Sequence, residues 1–214
     1  MLYFDYDFLV IRLIFLVLKM NTKYLADRLN HIEALSPQEI DLLESVFKPH
    51  SVKRNTFLVE AEMYTDYVGF VNDGIFRTFF YNRNGQEITK YFSARGEFVC
   101  DFASFENVTK TSDYIQAETD CELIITDRKG IDILSKGLKK WDYYLFKIYQ
   151  DKHQKRLTER EQQIGLSQSE IYLQFLGQNP FIVKNVPVGH IASYLGIPPQ
   201  SLSRIRKSSL ARIN

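Results

Sequence analysis

The chain has few of the residues that build metal sites and disulfide frameworks. Its 214 residues include two cysteines, Cys100 and Cys121, without the CxxC spacing of a zinc ribbon. Two packed, reduced thiols are therefore expected, as in a protein of a reducing cytoplasm. Four histidines are present, and none lies between His50 and His153. This scatter predicts no metal site.

An apolar run long enough to cross a membrane is also missing. The apolar stretch from 8 to 18 covers eleven residues and includes Arg12, whereas roughly 20 are needed. An acidic segment precedes it, unlike the basic start of a secretory signal. We expect no membrane interaction and interpret residues 1–19 as a non-native or accessory extension, with Met20 as the native start. The alternative is an extra helix that lies against the body of the protein or a partner.

The net charge is small, because 27 basic residues are balanced by 26 acidic ones. The basic residues are nevertheless concentrated at one end. From residue 181 onward the sequence has no Asp or Glu and five basic residues: Lys184, Arg204, Arg206, Lys207 and Arg212. Such a concentration is the electrostatic footprint that nucleic-acid phosphate requires.

The same end carries a helix-turn-helix pattern, HIASYLGIPPQSLSRIRKS, from 190 to 208. Gly196 should end the first helix, because glycine enters the left-handed conformation without steric cost. Pro199 suits the first turn of a second helix, where an amide proton has no partner. Leu202 and Ile205 then point inward and leave polar and basic residues exposed. A helical hairpin that only packs on a core is the alternative interpretation.

From Ser51 to about Asp127 the sequence predicts short strands. Six runs are rich in β-branched and aromatic residues: Thr56–Val59, Tyr67–Val71, Ile75–Tyr81, Glu87–Phe92, Tyr114–Ala117 and Glu122–Thr126. Asn84-Gly85 is a hairpin signal between two of them. This pattern predicts a barrel, jelly roll or sandwich. Eight aromatic side chains are expected in or beside its interior: Phe76, Phe79, Phe80, Tyr91, Phe92, Phe98, Phe102 and Phe105.

Helices are predicted on both sides of this β region. Short ones are expected at 24–32, after Ser36, at 128–136 and after a capping box formed by Ser167 and Glu170.

A long helix is predicted from Leu138 to Gln163, which contains no Pro or Gly. One stripe of apolar and aromatic residues runs along it: Phe146, Tyr149, His153, Leu157 and, just beyond its end, Ile164. Because DNA half-sites are usually read by two-fold dimers, we interpret the stripe as a homodimer surface. The alternative is a helix that lies across its own β domain, which we expect at Trp141.

This order of elements resembles the Crp/Fnr family of bacterial transcription regulators. The motif HIASYLGIPPQSLSRIRK is similar to the DNA-binding motif of Bacteroidetes-type members. The segments Gly96–Val99 and Ala117–Glu122 resemble those that flank the family's cyclic-nucleotide phosphate cassette. The resemblance implies an α+β fold: an N-terminal antiparallel β-roll or jelly roll, a long dimerisation helix and a C-terminal (winged) helix-turn-helix. Any wing would have to come from 181–188.

The resemblance also implies how the chain is divided and what it binds. Four parts are expected: the extension 1–19, a cyclic-nucleotide-binding-like β-roll sensor 20–137, the dimerisation helix 138–165 and the DNA-binding domain 166–214. The implied partners are double-stranded DNA, a second copy of the chain, RNA polymerase and a small effector, in the cytoplasm. The resemblance implies that the protein is not an enzyme, and no catalytic residues are assigned.

The expected effector pocket is a degenerate cassette: Gly96, Glu97, Phe98, Cys100, Asp101, Thr111 and Ser112. Cyclic-AMP-responsive members of the family have a Gly-Glu pair and then an Arg-Ser pair. Here Cys100 and Asp101 replace the first pair, and Thr111 replaces the arginine. Thr111 lacks the charged, bidentate fork that suits phosphate, so we predict no tight cyclic-AMP binding. A haem or redox role for the cysteines is the alternative to two buried thiols.

The resemblance assigns the base-reading positions to Pro199, Gln200 and Arg204, and the hydroxyls of Ser201 and Ser203 are expected to reach bases or phosphates. Phosphate contacts are assigned to three further residues: Lys184, Arg206 and Lys207. These residue types suit the roles, since arginine pairs with guanine, glutamine pairs with adenine, and lysine neutralises phosphate.

Two other functions are compatible with the predicted β region. A cupin-like metal-dependent enzyme would need two or three histidines inside the barrel, and the gap between His50 and His153 disfavours it. A β-roll that serves only as a protein-interaction module is the second alternative.

Overall fold

Two antiparallel four-stranded sheets lie face to face in the computed structural model, which describes residues 22–210. Sheet 1 has the order β1-β8-β3-β6 and sheet 2 the order β2-β7-β4-β5. Helices cover the outer faces of both sheets. The α+β fold predicted from the sequence is confirmed. The predicted extension 1–19 lies outside the described residues.

The bounds of the elements follow the chain from residue 22. The strands are β1 (Lys48–Val52), β2 (Phe57–Val59), β3 (Tyr67–Asp73), β4 (Ile75–Tyr81), β5 (Glu87–Ala94), β6 (Phe98–Val99), β7 (Tyr114–Ala117) and β8 (Cys121–Asp127). The helices are α1 (22–30), α2 (Pro37–Val46), α3 (Phe102–Asn107), α4 (Arg128–Gly137), α5 (Trp141–Gln163), α6 (Gln168–Gln178), α7 (Pro180–Asn185), α8 (Val188–Leu195) and α9 (Pro199–Leu210).

The six predicted strands are confirmed, and two further strands were missed. β1 contains Pro49 and pairs only with β8, so the missing amide proton is tolerated at an edge of sheet 1. β6 is two residues long and has no pattern of its own. The hairpin between β4 and β5 turns at Asn84-Gly85 as predicted, where Gly85 has φ +72°.

The interior between the sheets is mostly aliphatic, so the predicted aromatic interior is wrong. Of the eight aromatics expected there, Phe76 lies between the sheets. Phe98 and Phe105 pack outside sheet 1 under the helices, and Phe92 packs outside sheet 2. Phe102 is 45% exposed. Side chains alternate between the two faces of a strand, and here helices bury the outer faces as well.

The helices outside sheet 1 and the start of α5 together bury the outer face of that sheet. Trp141 and Tyr144 at the start of α5 are almost completely buried against α1, α2 and α4. The expectation that the long helix lies across its own β domain at Trp141 is therefore confirmed. The helix begins at Trp141 and not at Leu138, because Leu138 caps α4.

The helix starts follow their local capping signals. Ser36 accepts a hydrogen bond from the Glu39 amide at 3.3 Å and donates its own amide to the Glu39 carboxylate at 2.8 Å. Ser167 and Glu170 form the same reciprocal pair at the start of α6. Both positions agree with the sequence prediction.

The segment 181–188 does not form the wing expected from the family resemblance. Most of it belongs to α7, with Pro180 in the first turn. Ile182, Val183 and Val186 are buried in the helical core of the C-terminal part. Burial of these apolar side chains outweighs their preference for strands.

We expect Gly74 to be needed for the tight turn between β3 and β4. Its φ is +96°, and a Cβ atom would lie 2.7 Å from the Asp120 carbonyl oxygen and 2.6 Å from the Cys121 sulfur. Gly74→Ala should therefore lower the free energy of unfolding by about 2–4 kcal/mol, measured by urea denaturation.

Gly85→Ala is the matched control for this experiment. Gly85 also has a positive φ, but a Cβ atom added there would meet no other atom within 4 Å. The expected loss is about 1 kcal/mol, from backbone strain alone. Equal losses for both variants would contradict the role of crowding at Gly74.

Candidate nucleic-acid interface and effector site

Helices α8 and α9 form the predicted helix-turn-helix. Gly196 ends α8 in the left-handed conformation, with φ +66°, and its amide faces the carbonyls of Ala192 and Ser193. Pro199 is the first residue of α9, as predicted. Leu202 is almost completely buried in the core of this unit.

The residues predicted to read bases lie on one exposed side of α9. Pro199, Gln200, Ser203 and Arg204 are exposed, whereas Ser201 is half-buried. The structure therefore brings four of the five predicted positions to the surface together. Their contacts with bases stay a prediction.

The three residues predicted to contact phosphate differ in their exposure. Lys184, at the end of α7, and Lys207 are exposed, while Arg206 is half-buried. The sequence from 181 onward contains no acidic residue that would cancel their charge. The surface is suited to a polyanion.

The stripe of α5 is exposed over its whole length. Phe146 is 58% exposed, Tyr149 70% and Leu157 41%. His153 is exposed as well and stacks on the Tyr149 ring. Ile164, 82% exposed, caps the helix and lies just beyond its last turn. An apolar row of this kind usually marks a protein interface.

The predicted cassette residues Asp101 and Thr111 are brought together, but they bind each other. Thr111 donates its hydroxyl to one Asp101 oxygen at 2.5 Å. The other Asp101 oxygen caps α3 by accepting from the amides of Ala103 and Ser104. The Thr111 hydroxyl also accepts the Asp113 amide at 2.9 Å. The hydrogen-bonding groups of Asp101 and Thr111 are therefore engaged within the chain.

Three cations that the sequence did not single out lie near the cassette: Lys90, Lys152 and Arg156. Lys90 forms an ion pair with Asp113 at 2.5 Å. The Tyr91 ring lies under the cations of Lys152 and Arg156, with centroid distances of 5.3 and 4.6 Å. Burial raises the pKa of Tyr91 above its ordinary value, so the phenol stays neutral. No local pattern in the sequence marked Lys90, Lys152 or Arg156.

An open cleft of about 1030 Å³ lies against α3, the helix that Asp101 of the predicted cassette caps. It runs between α3, the turn from β5 to β6, and α5. Gly96, Glu97 and Phe98 of the predicted pocket line it, together with Phe146 and Tyr149 of the stripe. The remaining predicted pocket residues do not: Cys100, Asp101, Thr111 and Ser112. The structure thus divides the predicted pocket between two places.

Both cysteines are buried free thiols. Burial raises the pKa of Cys100, with a further contribution from the neighbouring Asp101 carboxylate, and burial also raises the pKa of Cys121. The thiols therefore stay protonated and are poor nucleophiles. Among residues 22–210, no group of three His, Cys, Asp or Glu side chains is placed to hold a metal ion. No helix in the described range is long and apolar enough to cross a membrane.

Comparisons with known proteins agree with this architecture. Residues 49–136 match the family described as the cyclic nucleotide-binding domain. A transcriptional regulator from Eubacterium rectale, assigned to the Crp/Fnr family, is similar in structure, with 20% identity and a TM-score of 0.60 over 83% of this chain and 85% of that one. The catabolite activator protein of Thermus thermophilus has 18% identity and a TM-score of 0.51 over 84% and 86%. No curated protein matches the sequence.

A third similar structure is FixK2 from Bradyrhizobium japonicum, with 14% identity and a TM-score of 0.59 over 78% of this chain and 86% of that one. The described residues have the fold of these regulator structures, which confirms the resemblance seen in the sequence.

We expect cyclic AMP not to bind tightly, because the cassette has carboxylates where a phosphate needs a cation. Asp101 and Asp113 flank Thr111, which is neutral and already hydrogen bonded. Isothermal titration calorimetry with cyclic AMP should give no sub-micromolar binding, and 5′-AMP serves as the control for weak purine binding. A sub-micromolar affinity specific to the cyclic nucleotide would refute this expectation.

Proposed function

We propose that the chain is a sequence-specific DNA-binding transcription regulator of the Crp/Fnr type. The observation that carries the proposal is the exposed side of α9, where Gln200 and Arg204 stand free of packing on a helix-turn-helix. A recognition helix of this kind fits the major groove of B-DNA. The absence of acidic residues from 181 onward supports the same conclusion.

In this proposal α9 reads bases and its surroundings hold phosphates. Arg204 pairs with O6 and N7 of guanine, and Gln200 pairs with N6 and N7 of adenine. Pro199 has no side-chain donor, so it limits the readout at its position. Lys184, Arg206 and Lys207 contact phosphates, which position the protein without specifying sequence.

The proposed active species is a cytoplasmic homodimer that acts together with RNA polymerase. The exposed stripe of α5 supports the dimer, because burial of Tyr149 and Leu157 against a second copy removes apolar surface from water. Two copies would then read two half-sites related by a two-fold axis.

The proposed β-roll senses a small effector other than cyclic AMP, or none. The pairs Asp101–Thr111 and Lys90–Asp113 support this proposal, because they engage side chains at and beside the cassette within the chain. The open cleft next to α5 is the available space for an effector, and it adjoins the proposed dimer surface.

Arg204→Ala and Lys207→Ala should weaken DNA binding in different ways. Loss of the Arg204 guanidinium should cost about 1–3 kcal/mol at one base pair and relax the preference there. Loss of the Lys207 ammonium should weaken specific and random DNA alike and reduce the salt dependence of binding. Both are measured by fluorescence anisotropy at several salt concentrations, on sites first selected from genomic fragments.

Lys53→Ala is the control for a general loss of charge. Lys53 is exposed on the β-roll, far in sequence from the helix-turn-helix, and pairs only with the exposed Asp120 among the ion pairs of the described residues. Its removal should leave DNA affinity unchanged. Equal losses on specific and random DNA for both α9 variants would contradict the assigned roles.

Leu157→Asp should separate the proposed dimer, because it places a carboxylate in the centre of the apolar stripe. Analytical ultracentrifugation should then give the mass of one chain in place of two. Gln154→Asp is the matched control, since Gln154 is exposed on the same helix but outside the stripe. A wild-type chain that sediments as a monomer at high concentration would refute the proposed dimer.

A further inference from the structure

The helix-turn-helix does not stand apart from the β-roll of its own chain. Helix α8 packs on β5, and Ile75 and Phe92 from the outer face of sheet 2 belong to the same buried cluster as Ile191 and Ala192. The ring of Phe92 also contacts Tyr194 at a centroid distance of 5.4 Å. The DNA-binding unit therefore shares its core with the sensor.

Hydrogen bonds hold α8 against the edge of sheet 2. The Ser193 hydroxyl donates to the Glu87 carbonyl at 3.0 Å and accepts the Thr89 amide at 2.9 Å. β5 is the last strand of this sheet, so Ser193 satisfies backbone groups that a further strand would otherwise pair. The contact depends on register, because a displaced α8 would leave the Thr89 amide buried without a partner.

A chain of buried charges connects the same two units. Arg77 in β4 is 1% exposed, and its guanidinium lies 3.1 Å from the Glu118 carboxylate and 2.6 Å from that of Glu87. The guanidinium also lies over the ring of Phe79, with its central carbon 3.9 Å from the ring centroid. Glu118, itself 3% exposed, lies 2.7 Å from Nδ1 of His190 in α8. A carboxylate only accepts, so His190 donates.

This arrangement favours one position of α8 over others. Buried charges are costly unless each keeps its partners, and Glu118 has His190 as its partner outside the roll. A rotation or shift of α8 would separate His190 from Glu118 and Ser193 from β5 at the same time. The apolar contacts alone would tolerate such a shift more easily, because they lack direction.

We propose that the contacts of His190 with the Arg77–Glu118 pair and of Ser193 with β5 position each helix-turn-helix on its β-roll. In the dimer this position sets the distance between the two recognition helices, and therefore the half-site spacing that is bound. The inference rests on the proposed function. It adds a direct contact between roll and DNA-binding unit to the indirect connection through α5.

His190→Ala and Ser193→Ala are the primary variants. Both replace residues of α8 by a good helix former and leave the ion pair inside the roll intact. His31→Ala is the matched control, because among the described residues the His31 ring bonds only the Asp27 carbonyl of α1, the helix that it follows. Glu118→Gln and Asp120→Asn form a second pair: Asp120 is exposed and lies two residues further along the chain.

The experiment measures binding of the full-length dimer to a panel of DNA sites. All sites carry the same two half-sites, selected on the wild-type chain, and the spacer between them varies in steps of one base pair. The wild type and both control variants should prefer one spacing by about tenfold over its neighbours, a usual size for coupling between sites. His190→Ala and Ser193→Ala should bring this ratio close to one while the base preference within each half-site stays the same.

Amide hydrogen exchange gives a readout that needs no DNA. The Thr89 amide is held by Ser193, so its exchange should accelerate in both primary variants and stay slow in His31→Ala and Asp120→Asn. Glu118→Gln should behave like the primary variants if it folds.

The outcomes separate this inference from the function on which it rests. A wild-type chain that binds no DNA specifically defeats the proposed function and the inference together. Specific binding with an unchanged spacing preference in His190→Ala and Ser193→Ala defeats the inference alone, whether or not Thr89 exchange rises. Slow Thr89 exchange in both variants would also overturn it.

Discussion

The burial of one positive charge constrains much of this molecule. Arg77 lies in β4, between β7 and β5 of sheet 2, and its guanidinium is removed from water. A charge in that place requires carboxylates within contact distance, and Glu87 and Glu118 supply them. Glu118 in turn holds His190. One contact between the C-terminal helices and the roll thus follows from the burial of Arg77 in β4.

Three buried layers follow one another through the molecule. Helices cover sheet 1, the two sheets cover each other, and the C-terminal helices cover sheet 2. Because β3 and β4 have two buried faces over most of their length, the roll is packed against the helices on both sides. The cassette helix α3 and the start of α5 lie at one side of this stack, and the exposed side of α9 lies in the unit at the other.

Prediction from the sequence succeeded where the signal is local and failed where it is not. The strands with repeated β-branched and aromatic residues, the hairpin at Asn84-Gly85 and the exposed stripe with Phe146 and Tyr149 were all foreseeable. β6 and α7 were missed, since a two-residue strand has no period and α7 is rich in strand-forming residues. The candidate base-reading surface was predictable because one helix carries it. The pairs Asp101–Thr111 and Lys90–Asp113 at the cassette were not predictable, because their members come from separate parts of the chain.

The sequence by itself determined the features that depend on residues close together in the chain. Gly196 and Pro199 define the turn between α8 and α9, and Ser36 and Ser167 start their helices, because each acts on the backbone next to it. Only the tertiary structure decided which distant groups meet. Glu118 and His190 are 72 positions apart, and their contact depends on how two packed units settle against each other, which no local pattern encodes.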